Sequence, residues 1–275
     1  MPVIVRKKDY KLIKVSAGCE VAHLLNPEVI GNDQIILDYI KIASGSEYDI
    51  KLDSGAVGWI QLLAGTGILD GVSHPLNSNL ILYLPRGLHT RYISEQSTSE
   101  LLIAQIPNAD RFDSEIENMP KQVCHTDWTR EPILESEHDA RKRIYLATPT
   151  LAGTNAFKGE MITYPPGAAA PEHHHVGAEH FQYIISGNLT ASLNQERQEL
   201  KAGDILYNYE RELHTFINES NAEAKFVEFF VPGPCETVWS AGANVCAWLP
   251  TGIDSEGRKP ARDIAYHVHG QDDGL

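Results

Sequence analysis

Residues 167–187 read Gly167-Ala-Ala-Ala-Pro-Glu-His173-His174-His175-Val-Gly-Ala-Glu179-His180-Phe-Gln182-Tyr183-Ile-Ile-Ser-Gly187. In an extended strand alternate side chains share a face, so His173 and His175 point together while His174 points away. A later segment, Gly203-Asp-Ile-Leu-Tyr207-Asn-Tyr209-Glu-Arg211-Glu-Leu-His214-Thr-Phe216-Ile-Asn218, brings a third imidazole on a separate strand. A run of histidines by itself is commonly a surface feature. A third histidine, in a second glycine-led segment, points instead to a metal held between strands.

Working outward, the segment proves to be one half of a repeat. Pro27 matches Pro149, Gly31 matches Gly153, Gly45 matches Gly167 and Gly65 matches Gly187, all at an offset of 122 residues. The match continues through Ile81-Leu82-Tyr83 with Ile205-Leu206-Tyr207, and through Arg86-x-Leu88-His89-Thr90 with Arg211-x-Leu213-His214-Thr215. Small loop insertions account for the drift of the offset to 125. Each copy consists of short β-rich runs separated by Gly, Pro, Asn and Asp, which is the pattern of a closed or double-sheet barrel. The expected division is an N-terminal barrel over 1–107, a linker over 108–141, a C-terminal barrel over 142–232 and a tail over 233–275.

The two segments resemble the first and second motifs of the cupin superfamily. Gly167, His173, His175 and Gly187 fit the first motif; Gly203, His214 and Asn218 fit the second, with Tyr209 and Arg211 in place of its Pro and Gly. The resemblance implies an all-β bicupin: two tandem double-stranded β-helix (jelly-roll) barrels, paired in a homodimer. It also implies one divalent transition metal on His173, His175, Glu179 and His214. The fourth ligand is open, because counting forward from His175 reaches Glu179 whereas counting back from Gly187 reaches His180. Neighbouring strand residues face opposite ways, so one of the pair must point away from the metal.

In the first copy the ligand positions fall on Lys51, Asp53, Val57 and Gly58, and only His89, the partner of His214, is retained. That barrel is expected to be structural, the alternative being a second ligand pocket made by Lys51, Asp53 and His89. His267-Val-His269 repeats the His-x-His spacing without a following glycine or third histidine, so it reads as a solvated tail.

Composition bounds the function. The 275 residues are 42% hydrophobic and 22% charged, as in a soluble globular protein. No apolar run approaches the roughly 18–20 residues of a membrane span. A net charge of −14 without a basic cluster excludes nucleic acid as the expected partner. The first residues lack the pattern of a secretory signal, and four scattered cysteines fit reduced thiols, so a cytoplasmic location is expected.

The resemblance then implies a metal-dependent enzyme acting on a small-molecule substrate. An Fe(II) dioxygenase or oxygenase leads, with Mn, Ni, Co or Zn able to occupy the same ligands. A non-redox isomerase, lyase or ureidoglycine aminohydrolase-like hydrolase is the alternative, and a non-catalytic ligand-binding bicupin comes third. Glu179, His180, Gln182 and Tyr183 are the candidate catalytic residues.

Overall fold

The computed structural model describes residues 1–194, 196–271 and 275, and the chain divides into two compact all-β units. The C-terminal unit comprises Met1–Lys7, Trp128–Thr150 and Phe157–Leu275; the N-terminal unit comprises Lys8–Asp127 and Leu151–Ala156.

In the C-terminal unit one sheet runs, in hydrogen-bonded order, through Val3–Val5, Ile205–Asn208, Glu179–Ser186, Ala224–Val231, Lys158–Tyr164, Lys142–Ala147, Leu134–Ser136, Ala247–Pro250 and His267–Val268. A second sheet runs through Glu196–Lys201, Asn188–Leu193, His214–Ile217, His173–Val176 and Glu236–Trp239. Tyr164, Ile184, Leu206, Phe216, Phe226 and Trp248 belong to one buried apolar cluster of this unit. In the N-terminal unit one sheet runs through Cys124–Asp127, Leu80–Leu84, Val57–Ala64, Ser99–Ile106, Ile36–Ile42, Cys19–Leu25 and Ile13–Ser16, and another through Glu47–Lys51, His89–Ser94 and Gly67–Leu69.

The repeated glycines have a backbone reason. Gly65 and Gly187 both sit at positive φ, 84° and 73°, and a Cβ on either would lie 2.6–2.7 Å from a carbonyl oxygen of the adjacent chain segment. No other residue satisfies both conditions without moving the strand.

The expected boundaries are corrected in three places. Val3–Val5 pairs with Ile205–Tyr207, and Arg6 forms a 3.0 Å ion pair with Asp204, so the first seven residues belong to the C-terminal unit. The expected linker, 108–141, is folded structure: Cys124–Asp127 pairs with Leu80–Tyr83, and Leu134–Ser136 lies between Lys142–Ala147 and Ala247–Pro250. The expected tail is folded as well. Glu236–Trp239 pairs with His173–Val176, and Ala247–Pro250 and His267–Val268 extend the main sheet. The polar residues of these segments alternate with buried ones, as at Leu134-Glu135-Ser136, a one-sided exposure that turn-rich sequence does not reveal.

The N-terminal barrel keeps the cross-strand register of its partner but not its facing. Lys51 stands opposite His89 as His173 stands opposite His214. Lys51, Asp53 and His89 are nevertheless exposed, and Ile50, Leu52 and Thr90 are the buried residues of those segments. The alternative pocket of Lys51, Asp53 and His89 is therefore not formed inside the barrel. A shift of one residue in strand phase exchanges every inward for an outward side chain, and Ile50 and Leu52 then fill the interior.

Candidate metal centre

Alternation along His173–Val176 buries His173 and His175 and leaves His174 half-buried. His214, directly across from His173 on the neighbouring strand, completes the expected trio. The ring centroids of His173 lie 4.9 Å from His175 and 4.5 Å from His214. The second-motif turn is held by the Arg211 N–H, which donates to the His175 carbonyl at 2.8 Å.

On Glu179–Ser186 the inward residues are His180 and Gln182. His180 is 1% exposed, and its ring lies 4.8 Å from those of both His175 and His214. Glu179 faces the other side of the sheet, where it accepts a hydrogen bond from the Tyr207 hydroxyl. The expected ligand Glu179 is thus displaced by its neighbour, since two adjacent strand residues cannot share a face. Tyr183 is on the same face as Glu179 by alternation. Gln182 does face inward, where it donates to Glu228 and accepts from Asn208 at 3.0 Å.

Two residues that sequence reasoning missed join the site. Glu228 lies opposite Gln182 on Ala224–Val231, and ligand atoms of His175, His180, His214 and Glu228 all lie within 4.8 Å of one another. Its signal was legible: Phe226-Val-Glu228-Phe-Phe230 places one carboxylate inside an apolar run. The other is His269, whose ring lies 5.7 Å from His173 and 5.3 Å from His175. His269 is 6% exposed, so its expected role as part of a solvated tail is corrected. Tyr145 and His267 share a 2.8 Å hydrogen bond that ties the same strand to the barrel.

The ring nitrogens show whether these residues fit a cation. Carbonyls only accept, so the 2.7 Å contact from His173 Nδ1 to the Pro171 carbonyl and the 2.9 Å contact from His214 Nδ1 to the Glu212 carbonyl place the proton on Nδ1. The Nε2 lone pair is left for a metal. Thr237 Oγ1 contacts His175 Nδ1 at 3.2 Å. Among the described residues, His175 Nε2, His214 Nε2 and His180 Nδ1 are buried without a hydrogen-bond partner. Burial of such atoms is costly unless something accepts their lone pairs, and a divalent ion does.

Residues 160–230 match the cupin domain family model. The C-terminal barrel is a cupin. Across 83 residues the chain is 34% identical to Protein SchB of Streptomyces halstedii, a match spanning 30% of this chain and 59% of SchB. Two solved structures of Bacillus subtilis oxalate decarboxylase, a deletion mutant and a variant with tyrosine in place of one tryptophan, superpose with TM-scores of 0.67 and 0.69. They cover 86% of this chain and 79% of theirs at 15% and 14% identity, which makes the likeness one of fold. Among the described residues no helix is long and apolar enough to cross a membrane.

Electrostatics in the cupin barrel favours neutral imidazoles. Burial pushes His173, His175, His180 and His269 well below the ordinary histidine range, and His214 down to about 4. At neutral pH their lone pairs are free without loss of a proton. Burial, reinforced by nearby Glu160, drives Glu228 the opposite way, well above the usual carboxylate range. A cavity of about 20 Å³ beside His173 and His214 has room for one or two waters. Tyr164, Phe216, Phe226, Trp239 and Trp248 line it, while Phe181 stacks on Phe229.

Proposed function

We propose that the cupin barrel is the active centre of a metal-dependent enzyme acting on a small organic molecule. The supporting observation is the convergence of His175, His180 and His214, each presenting a buried ring nitrogen without a partner, beside His173 and Glu228. A divalent ion bound there would supply Lewis acidity or, if iron, the means to activate oxygen. Iron(II) is the first choice, and Mn, Ni, Co or Zn suit the same donors. The protein contributes the rest: aromatic walls exclude water, Nδ1 contacts hold the rings of His173, His175 and His214, and Gln182, itself held by Asn208, donates to the Glu228 carboxyl.

An iron(II) oxygenase is the leading reading, because three imidazoles around one ion leave coordination positions open to other ligands. A non-redox lyase or hydrolase is the second, favoured by one observation. Glu228 is a buried carboxyl within reach of the imidazoles and able to carry a proton. The Bacillus subtilis neighbour, whose Mn(II) centres are named in one of its structures, makes manganese a necessary arm of the test.

Metal analysis of the purified protein, followed by anaerobic loading with iron and with manganese, separates these readings. Oxygen uptake by the iron form supports the first, and oxygen-independent turnover supports the second. A protein that takes up neither metal overturns both.

A further inference from the structure

Arg141 lines the same cavity as His173 and His214 and is 3% exposed. Its backbone N–H and its Nε both go to Asp139, at 2.9 and 2.7 Å. The two Nη groups face weaker partners, the Tyr164 hydroxyl at 3.5 Å and the Cys246 sulfur at 3.3 Å. A buried guanidinium usually spends its fork on a carboxylate. Here only the Nε side is so used.

The charge count around the cavity points the same way. Buried Arg141, Arg143 and Lys158 stand against Asp139, Glu160, Glu228 and Glu172, the last of which acts on His214. Three cations thus meet four acids, so a divalent ion held by neutral imidazoles leaves one positive charge unbalanced even with every acid ionised. In a low-dielectric site an uncompensated charge is expensive, and an anionic ligand offsets it. Trp248 lies 5.5 Å from the Arg141 guanidinium and, with Phe216, supplies an apolar wall for the remainder of such a ligand.

We propose that Arg141 is the carboxylate-binding residue of this pocket, and that the ligand is a small organic acid held by the two Nη groups beside the imidazole cluster. The assignment rests on the barrel being an active centre, but carboxylate binding is measurable without metal. The cavity, with room for one or two waters, favours an acid with little beyond its carboxylate group.

The test compares acetate with acetamide, which has the same shape and no charge, by calorimetric titration of the metal-free protein. Acetate is expected to bind about tenfold more tightly, the scale of one charge-assisted contact. That preference is expected to vanish in the double variant Arg141→Gln with Asp139→Asn, which removes the pair together and leaves no orphaned carboxylate. Equal binding of the two probes, or a preference that survives in the double variant, overturns the proposal. Trp248→Phe gives an independent location should the double variant not fold: the acetate-induced change in tryptophan fluorescence is expected to fall, with Trp239 then the remaining tryptophan of the lining, while the heat of binding remains. An undiminished fluorescence change also overturns it. Absence of an acetate preference in the wild-type protein, with normal metal uptake, sinks only this subsite, whereas failure to take up metal sinks the metal reading.

Discussion

Arg143 donates to Nδ1 of His269 at 2.8 Å. A guanidinium has no lone pair to offer, so Nδ1 is the acceptor and the His269 proton sits on Nε2. This separates His269 from His173 and His214, whose Nδ1 atoms carry the proton instead. His269→Ala is therefore expected to retain one equivalent of bound Co(II), measured by elemental analysis after dialysis. Loss of the metal in that variant would show that His269 is itself a ligand.

Arg143 also pairs with Glu160 at 2.9 Å, both side chains being at most 1% exposed. Arg143→Met removes the cation from this buried pair, a change that costs about 3–5 kcal/mol. A urea midpoint close to that of the wild type would contradict this placement.

The facing of Glu179 and His180 gives a sharper contrast. Glu179→Gln alters the contact with the Tyr207 hydroxyl, on the far side of the sheet, and is expected to leave metal affinity unchanged. His180→Ala and His214→Ala are each expected to weaken it by about a hundredfold or more. Competition against a chelator of known affinity measures all three. The reverse order of effects would restore Glu179 as the ligand.

Acid should destabilise the metal-free protein over a defined window. Unfolded histidine titrates near 6.5, whereas burial holds native His214 near 4 and the other four pocket imidazoles well below their ordinary range. Between those values the five imidazoles bind more protons in the unfolded chain than in the native one, against the single opposing shift of Glu228 in the same pocket, so their contribution to stability is full above pH 6.5 and falls as pH falls toward 4. His214 alone accounts for about 3 kcal/mol across that interval. Urea midpoints at several pH values test this; a flat profile between pH 7 and 5 would refute it.

Arg211 stands where the resemblance expects glycine and has φ of 67°. The left-handed region costs an L-residue roughly 1–2 kcal/mol, part of which glycine returns through its looser unfolded chain. Arg211→Gly is expected to raise stability by up to about 1 kcal/mol, seen as a higher melting temperature. Its ion pair with Glu210 is solvent-exposed and offers little to lose.

Spacing and alternation were enough to bring His173, His175 and His214 together, because a strand has a fixed period and the repeat supplied the second strand. They could not choose between Glu179 and His180. The turn Val176-Gly177-Ala178 sets the phase of the next strand, and phase is a property of backbone geometry. The same limit hid the outward turn of Lys51 and His89. Glu228 was visible as a charge inside an apolar run but had no motif to name it. His269 is more than fifty residues from His214 in sequence, and only the pairing of Ala247–Val268 and Trp248–His267 brings it back.

The pairing of Val3–Val5 with Ile205–Tyr207 gives the barrel a peculiar assembly order. Val3–Val5 precedes its partner strand by roughly 200 residues, a loop whose closure entropy grows only slowly with length. The N-terminal unit is encoded inside that loop, so it is synthesised in full before the metal-binding barrel has all its strands.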